Sequence, residues 1–299
     1  MKLSIITVNY NNAEGLKKTI DSVLCQTSKD FEYIVVDGAS TDNSLEIIVQ
    51  FENLKIQQFE NEKIEFASNH FQWISEPDMG IYHAMNKGIV LAKGEYIQFL
   101  NSGDSLVTAD VTERMLACLF PSPDIYRDQG EGVGARSLIL YGNMLKQLPN
   151  RILRDRGFAG RMPTMLDFYT GTLNHSPAYI KRSLFETYGL YDENMKIVSD
   201  WKWYLKVIIL NGVIPVYKDI DVTLFDMNGI STINSDLDKG ERKQVLSEIL
   251  PNSVLADYER WTFSIDQIKR INRYWITRKG FWLVERVLFK WEKWFWKIF

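Results

Sequence analysis

The chain has 299 residues, 45% hydrophobic and 24% charged, enough for one large core or two modest domains. A formal net charge of −3 gives no bulk electrostatic case for nucleic acid. Only two cysteines occur, with no nearby Cys or His, which argues against a disulfide framework or a zinc site and leaves Cys25 and Cys118 as buried free thiols on predicted helices.

Met1–Tyr10 carries one positive residue and a very short apolar run, so it reads as a first strand, Leu3–Val8, rather than a signal peptide. Ala13–Cys25 has Leu16, Ile20, Val23 and Leu24 at helical spacing. Glu32–Val36 is the second strand, and Ser40, Thr41 or Asp42 caps the next helix, which carries Leu45, Ile48 and Val49. Leu54–Phe59 and His70–Ile74 are strand candidates, with a surface loop at Glu60–Phe66 between them. Met79–Ala92 is helical, Tyr96–Leu100 a strand and Val107–Phe120 a helix. This β-α-β-α order predicts an α/β fold with a largely parallel sheet. Neither G-x-G-x-x-G in the early loop nor a G-x-x-x-x-G-K-[ST] loop occurs.

Pro121–Arg136 is a Pro/Gly/Asp-rich interruption, and Ser137–Asn143 returns to strand character. Gln147–Asp167 reads as irregular and rich in Arg. Asn174–Ile180 is a strand leading into a helix at Lys181–Tyr188, and Gly189–Ser199 a loop. Asp200–Leu210 is a helix, Gly212–Val216 and Ile220–Phe225 two strands, and Glu241–Asn272 helical with a break near Pro251.

Two strands run directly into carboxylate-bearing loops: Ile34–Val36 into Asp37–Gly38–Ala39–Ser40–Thr41–Asp42, and Tyr96–Leu100 into Asn101–Ser102–Gly103–Asp104. Ligands of open α/β sheets sit beyond the carboxyl ends of strands, so this is the expected binding edge. Asp104 offers a hard oxygen ligand for Mg²⁺ or Mn²⁺, or else caps the following helix. Asp37 accepts a base or ribose hydrogen bond, or else caps its turn.

Ser4–Asn11, Val35–Asp42, Tyr82–Ile89 and Gly94–Asp104, taken in that order, resemble the inverting family 2 glycosyltransferases of GT-A fold, including enzymes of bacterial capsule, O-antigen and exopolysaccharide assembly. The resemblance is strong over residues 3–104 and extends more weakly to about 232. It implies a nucleotide-sugar donor, a UDP-sugar in the first instance, and a saccharide or polyprenyl-linked saccharide acceptor. It places Thr7 and Asn9 at the end of the first strand near the donor nucleotide, Asp37 on the nucleoside and Asp78 on the loop lining base and ribose. Asn101–Ser102–Gly103–Asp104 stands at the Asp-x-Asp-like motif, with Asp104 as its last, metal-binding acid and Asn101 and Gly103 in place of common carboxylates. Lys87 either contacts the donor phosphates or is a solvated helix lysine, and His175 reaches donor phosphate or acceptor.

Val198–Ser199–Asp200–Trp201 resembles the acceptor-side segment whose aspartate opens a helix, and the resemblance assigns Asp200 as general base. Read locally, Ser199 or Asp200 is equally an N-terminal cap. Phe225–Thr232 either closes over the site or is an ordinary turn stabilised by Asn228 and Gly229.

From Arg260 to Phe299 the chain carries ten Lys or Arg against three Asp or Glu, together with six of the nine tryptophans. Arg286, Lys290, Lys293 and Lys297 form a narrow basic stripe beside a broad apolar face. Such a helix lies on an anionic membrane surface or docks on protein. The expectation is a GT-A-like domain over 1–235 and a helical tail over 236–299, cytoplasmic and peripheral on the inner face of the cytoplasmic membrane, with homo-oligomerisation left open. The competing reading is a catalytically weak carbohydrate-binding or scaffold protein that keeps the fold.

Overall fold

A computed structural model describes residues 1–61, 70–121, 137–148, 150–227 and 234–273. The first strand, β1 (Leu3–Asn9), and the second, β2 (Phe31–Asp37), are buried along their whole length. Mostly apolar strands buried on both faces, with Ser4, Thr7 and Glu32 as their buried polar interruptions, suit a covered parallel sheet. α1 (Ala13–Leu24) joins them and buries Leu16, Thr19, Ile20 and Val23; Asn12 caps it by accepting from the Gly15 N–H. α2 (Ser44–Asn61) leads to β3 (Phe71–Ser75), α3 (Ile81–Leu91) and β4 (Tyr96–Phe99). These four strands are parallel, in the order β3-β2-β1-β4. The register sets Asn9 beside Asp37 and Asp37 beside Ser75, so three strands end level at one edge.

The other half of the sheet is mixed. β5 (Ser105–Leu106), α4 (Val111–Leu119), β6 (Ile139–Leu148), β7 (Arg151–Asp155), α5 (Met165–Thr170), β8 (Ala178–Lys181), α6 (Ser183–Tyr188), α7 (Ser199–Tyr204), a π-helical turn at Leu205–Leu210 and β9 (Pro215–Phe225) follow in order. β8 runs antiparallel to β4 and β6, while β9 runs parallel to β6. The core joins Leu3, Ile5, Val35 and Leu100 of the parallel half to Leu140, Tyr179 and Val222 of the mixed half.

Several sequence expectations need correction. Leu54–Phe59 continues α2 rather than forming a strand; Lys55, Gln57, Gln58 and Glu60 favour helix over extension. Gln147–Asp167 is not irregular throughout, because Leu145–Leu148 pairs with Arg151–Arg154 in a hairpin. β7 is exposed and Arg-rich, as an edge strand tolerates, so it shows no buried alternation. Of the two strands expected at Gly212–Val216 and Ile220–Phe225, Gly212–Ile214 stays outside the sheet and the rest forms one strand, β9, carried across Tyr217–Asp219 by its ladder with β6 and an irregularity near Asn143. The helix from Asp200 changes to π geometry at Leu205. Cys25 ends α1 exposed, and Cys118 is half-buried; both are free.

Two compact units divide after Arg242. α8 (Ser235–Ile249) crosses that boundary, and α9 (Asn252–Arg273) follows the break at Pro251. The loop expectation beyond Asn61, the interruption after Pro121, Asn228–Thr232 and the basic stripe at Arg286, Lys290, Lys293 and Lys297 lie outside the described residues. No described helix is long and apolar enough to cross a membrane.

Candidate active site

The carboxyl ends of β1, β2 and β3 build one wall. Asp37 is fully buried and accepts from Asn9 Nδ2 at 2.8 Å, Ser40 Oγ at 2.5 Å, Ser40 N–H at 2.9 Å and Ser75 Oγ at 2.7 Å. Burial pushes its carboxyl up, but the bonds from Ser40, Ser75 and Asn9 outweigh burial and hold it below its ordinary value. These four bonds fix the loop that presents Asn9, Ser40 and Ser75. Asn9 Oδ1 stays buried without a partner among the described residues. Thr7 lies deeper: its hydroxyl donates to the Leu100 carbonyl at 2.7 Å and accepts from Tyr33 at 3.0 Å, tying β1 to the chain after β4.

Asp78 stands across from this loop. A side chain at Gly38 would meet Asp78 Oδ2 and Tyr10 Cδ2 at 3.1 Å, so glycine lets the two loops approach. Lys87 holds Glu76 at 2.8 Å and Asp78 at 2.6 Å. His83 Nδ1 accepts from the Met79 N–H at 3.1 Å. Lys87 is therefore neither solvated nor free; it braces the Glu76–Asp78 loop.

The second wall begins after β4. The Asn101–Asp104 loop is pinned to α1: Thr19 Oγ1 donates to the Asp104 carbonyl at 2.6 Å and accepts from the Gly103 N–H at 3.0 Å. Lys18 reaches the Gly103 carbonyl at 2.9 Å. Gly103 has φ +103°, and a side chain there would strike Asp226 Oδ2 at 2.5 Å. Glycine in place of an acid thus follows from both backbone and crowding. Asp104 is buried; its Oδ1 accepts from the Asp226 N–H at 2.9 Å, and its Oδ2 has no partner among the described residues. Burial pushes its carboxyl up to about 7.

His175 bridges this loop to Asp200. Its Nδ1 lies 3.2 Å from Asp200 Oδ2 and its Nε2 3.3 Å from Asn101 Nδ2. In the neutral ring, Nδ1–H donates to Asp200 and Nε2 accepts from the Asn101 amide, a tautomer assigned from the bonding pattern. Asn101 Oδ1 remains buried and unpartnered. Asp200 Oδ1 accepts from Tyr82 Oη at 2.9 Å. Burial pushes Asp200 up, but His175 and Tyr82 outweigh it and hold the carboxyl below its ordinary range. Burial works against the His175 charge, and the Asp200 bond and charge overcome it, raising the imidazole.

Sequence reasoning missed Tyr82 because a buried aromatic on an amphipathic helix reads as core. Its signal was the Tyr82–Asn86 spacing, which sets two polar groups on one helix face. Asn86 donates to the Tyr191 carbonyl at 2.9 Å and accepts from the Tyr191 N–H at 3.0 Å. The neighbouring face carries His83 and Lys87. α3 thus grips the Asp78 loop with one pair and the Tyr191–Asp200 chain with the other. Gly88 lets α3 lie close on β1, since a side chain there would meet Ile6 Cγ2 at 2.5 Å.

A cleft of about 320 Å³ opens beside α3, lined in part by Ile74, Val90 and Leu190. None of Asp104, His175 or Asp200 lines it. Among the described residues no group of three His, Cys, Asp or Glu converges on a metal position. Asp104 Oδ2, a buried hard oxygen without a partner, still fits one bond to Mg²⁺ or Mn²⁺ when phosphate oxygens and water fill the other positions.

A sheet whose parallel half ends at Asn9 and Asp37, with Asp104 in the loop after β4 and Asp200 joined to that loop through His175, defines a GT-A-like fold. Residues 4–120 match the family model described as glycosyl transferase family 2. Over those residues the chain is similar to that family. It is 27% identical over 264 residues to a PGL/p-HBAD biosynthesis glycosyltransferase of Mycobacterium bovis, covering 86% of this chain and 90% of that protein. The fold is similar to Staphylococcus aureus TarS 1-349 crystallised with UDP, with TM-score 0.55 and 19% identity over 83% of this chain and 70% of that one. It is also similar to the mannosyltransferase PcManGT of Pyrobaculum calidifontis in complex with GDP-Man and Mn²⁺, with TM-score 0.55 and 16% identity over 77% of this chain and 58% of that one.

Proposed function

We propose that the chain transfers a sugar from a nucleotide-sugar donor, a UDP-sugar in the first instance, to a saccharide or polyprenyl-linked saccharide hydroxyl with inversion at the anomeric carbon. The observation that carries this reading is the Asp200 carboxylate, held ionised and oriented by His175 and Tyr82. The acceptor oxygen attacks the anomeric carbon while Asp200 takes its proton, and the bond to the nucleoside diphosphate breaks with its electron pair. One displacement needs no nucleophilic Cys or Ser.

On the donor side, Asn9 offers its unpartnered Oδ1, and Asp37 and Lys87 keep the surrounding loops in place. Asp104 would hold Mn²⁺ or Mg²⁺ through Oδ2. When bound, the cation supplies positive charge against the charge developing on the leaving diphosphate. The nucleotides bound by TarS (UDP and UDP-GlcNAc) and by PcManGT (GDP-Man) support a nucleoside-diphosphate sugar donor. The basic-aromatic stripe of the tail supports a peripheral position on an anionic membrane, where a lipid-linked acceptor resides.

Screening nucleotide sugars against soluble and lipid-linked saccharide acceptors, with NMR of the product's anomeric configuration, tests the reading. A product with the donor's own configuration rejects inversion. Nucleotide binding without transfer to any acceptor favours the carbohydrate-binding alternative.

A further inference from the structure

We propose that Glu241 and Arg242 of α8 are positioning residues for Asp200, clasping the chain on both sides of it. The proposal rests on the reading of Asp200 as the base. Both residues belong to the first compact unit.

Glu241 Oε1 accepts from the Lys196 N–H at 2.7 Å, and Oε2 accepts from the Ile197 and Val198 N–H groups at 3.0 and 3.2 Å. Three successive amides thus converge on one carboxylate immediately before α7. Bonds to a carboxylate are stronger than neutral ones and directional. Ile197 is held from both ends, because its carbonyl accepts from Tyr82 while its N–H donates to Glu241. Tyr82 is the phenol that also reaches Asp200, so the clasp and the base share a partner.

Arg242 acts on the other side. Its guanidinium lies 4.7 Å from the centre of the Trp201 ring and donates to the Gly171 carbonyl at 2.9 Å. Asp238, one turn earlier on α8, holds the Arg242 Nε at 3.0 Å. The Trp201 indole donates in turn to the Phe168 carbonyl at 2.8 Å. Adjacent residues of one helix therefore fix the segments before and after Asp200. The carboxylate is held at its tips by His175 and Tyr82, while α8 holds the amides of residues 196–198 before it and the Trp201 ring after it. Proton abstraction tolerates little misplacement: a shift of about 1 Å costs on the order of a hundredfold in rate.

Glu241→Ala leaves three amide donors facing a vacated carboxylate position, which acetate fits. The test uses the full chain and the donor–acceptor pair found by the product screen. In Glu241→Ala, kcat should fall roughly tenfold to a hundredfold while donor KM holds. Amide exchange over residues 196–201 should quicken. Acetate should recover both, and sodium chloride at equal ionic strength should not. A wild-type kcat, or a loss that acetate leaves untouched, overturns the proposal.

Should Glu241→Ala fail to fold, Glu241→Gln keeps the chain length but turns an NH₂ group toward backbone donors. It should lose kcat without acetate rescue, and a wild-type rate in it overturns the proposal equally. Asp200→Asn separates the two readings. Full transfer by that variant removes Asp200 as base, while the acetate-dependent exchange over 196–201 remains a measurement of the clasp alone.

Discussion

The Tyr82 hydroxyl lies 2.9 Å from Asp200 Oδ1 and also against the Ile197 carbonyl, so one proton serves two acceptors. With Asp200 ionised, the phenol donates to the carboxylate. Once Asp200 has taken a proton, that proton can point at the phenol oxygen while the phenol donates to Ile197. Both protonation states of Asp200 therefore have a partner.

Tyr82→Phe removes that partner. We expect kcat to fall about tenfold with donor KM little changed, because the substrate loses no contact. The sign of the pH effect follows from the bond: Tyr82 lowers the Asp200 carboxyl, so its loss raises it. The acid limb of kcat/KM should move to higher pH, as a pH–rate profile of the two proteins would reveal. The groups facing Asp200 are His175, Tyr82, Tyr191 and Tyr204, so the variant is compared with His175 intact.

Asp200→Asn keeps shape and polarity but cannot take a proton. Transfer should drop by about 10²–10⁴-fold while calorimetric nucleotide binding persists. A near-wild-type single-turnover rate at saturating acceptor is the outcome that excludes Asp200 as base.

The parallel half was legible because its strands are mostly β-branched and aromatic and run into polar loops. Asn9, Asp37 and Asn101 mark where they stop, and strand register alone aligns the first two. β7 was not legible because an exposed edge has no buried face, and β9 was not because its polar centre imitates a turn. In the site, carboxylates stood out but their holders did not. Tyr82 and Glu241 lie 118 and 41 residues from Asp200; the Tyr82–Asn86 spacing was the one local signal, and nothing local distinguishes Glu241 from a surface acid.

Asp104→Ala removes the unpartnered Oδ2. The variant should fold, because the lost Oδ1 contact is a single bond from the Asp226 N–H. It should bind nucleoside diphosphate without the enhancement that Mn²⁺ or Mg²⁺ gives the wild type. Titration with and without metal measures this, and an unchanged metal enhancement would remove Asp104 from the cation's shell.

Gly103 occupies a backbone region disfavoured for side chains, against Asp226. Restoring an acid with Gly103→Asp should therefore destabilise the protein, by about 1–3 kcal/mol from backbone strain, before charge repulsion is added. Thermal unfolding of Gly103→Asp beside Gly103→Ala separates the charge from the rest: alanine shows strain and crowding against Asp226 without added charge, and aspartate should melt lower still. Equal or higher melting temperatures would mean that the loop relaxes away from Asp226.

His175 and Asp200 also make stability depend on pH. The imidazole is raised above its ordinary value near 6.5, so its contribution is complete below that pH and is lost as pH rises through the higher folded value. Asp200 is depressed, so its contribution is present above about 3.9 and is lost as pH falls through its lower folded value. The pair therefore stabilises most strongly in mildly acidic solution, from about pH 4 to 6.5 and somewhat beyond. His175→Gln retains a polar side chain but cannot become charged. The melting-temperature gap between wild type and His175→Gln should be widest in that window and should narrow as pH rises toward 9. A gap that stays constant from pH 5 to 9 would show that His175 holds Asp200 as a neutral donor throughout, without the charge that Asp200 and Asp104 favour.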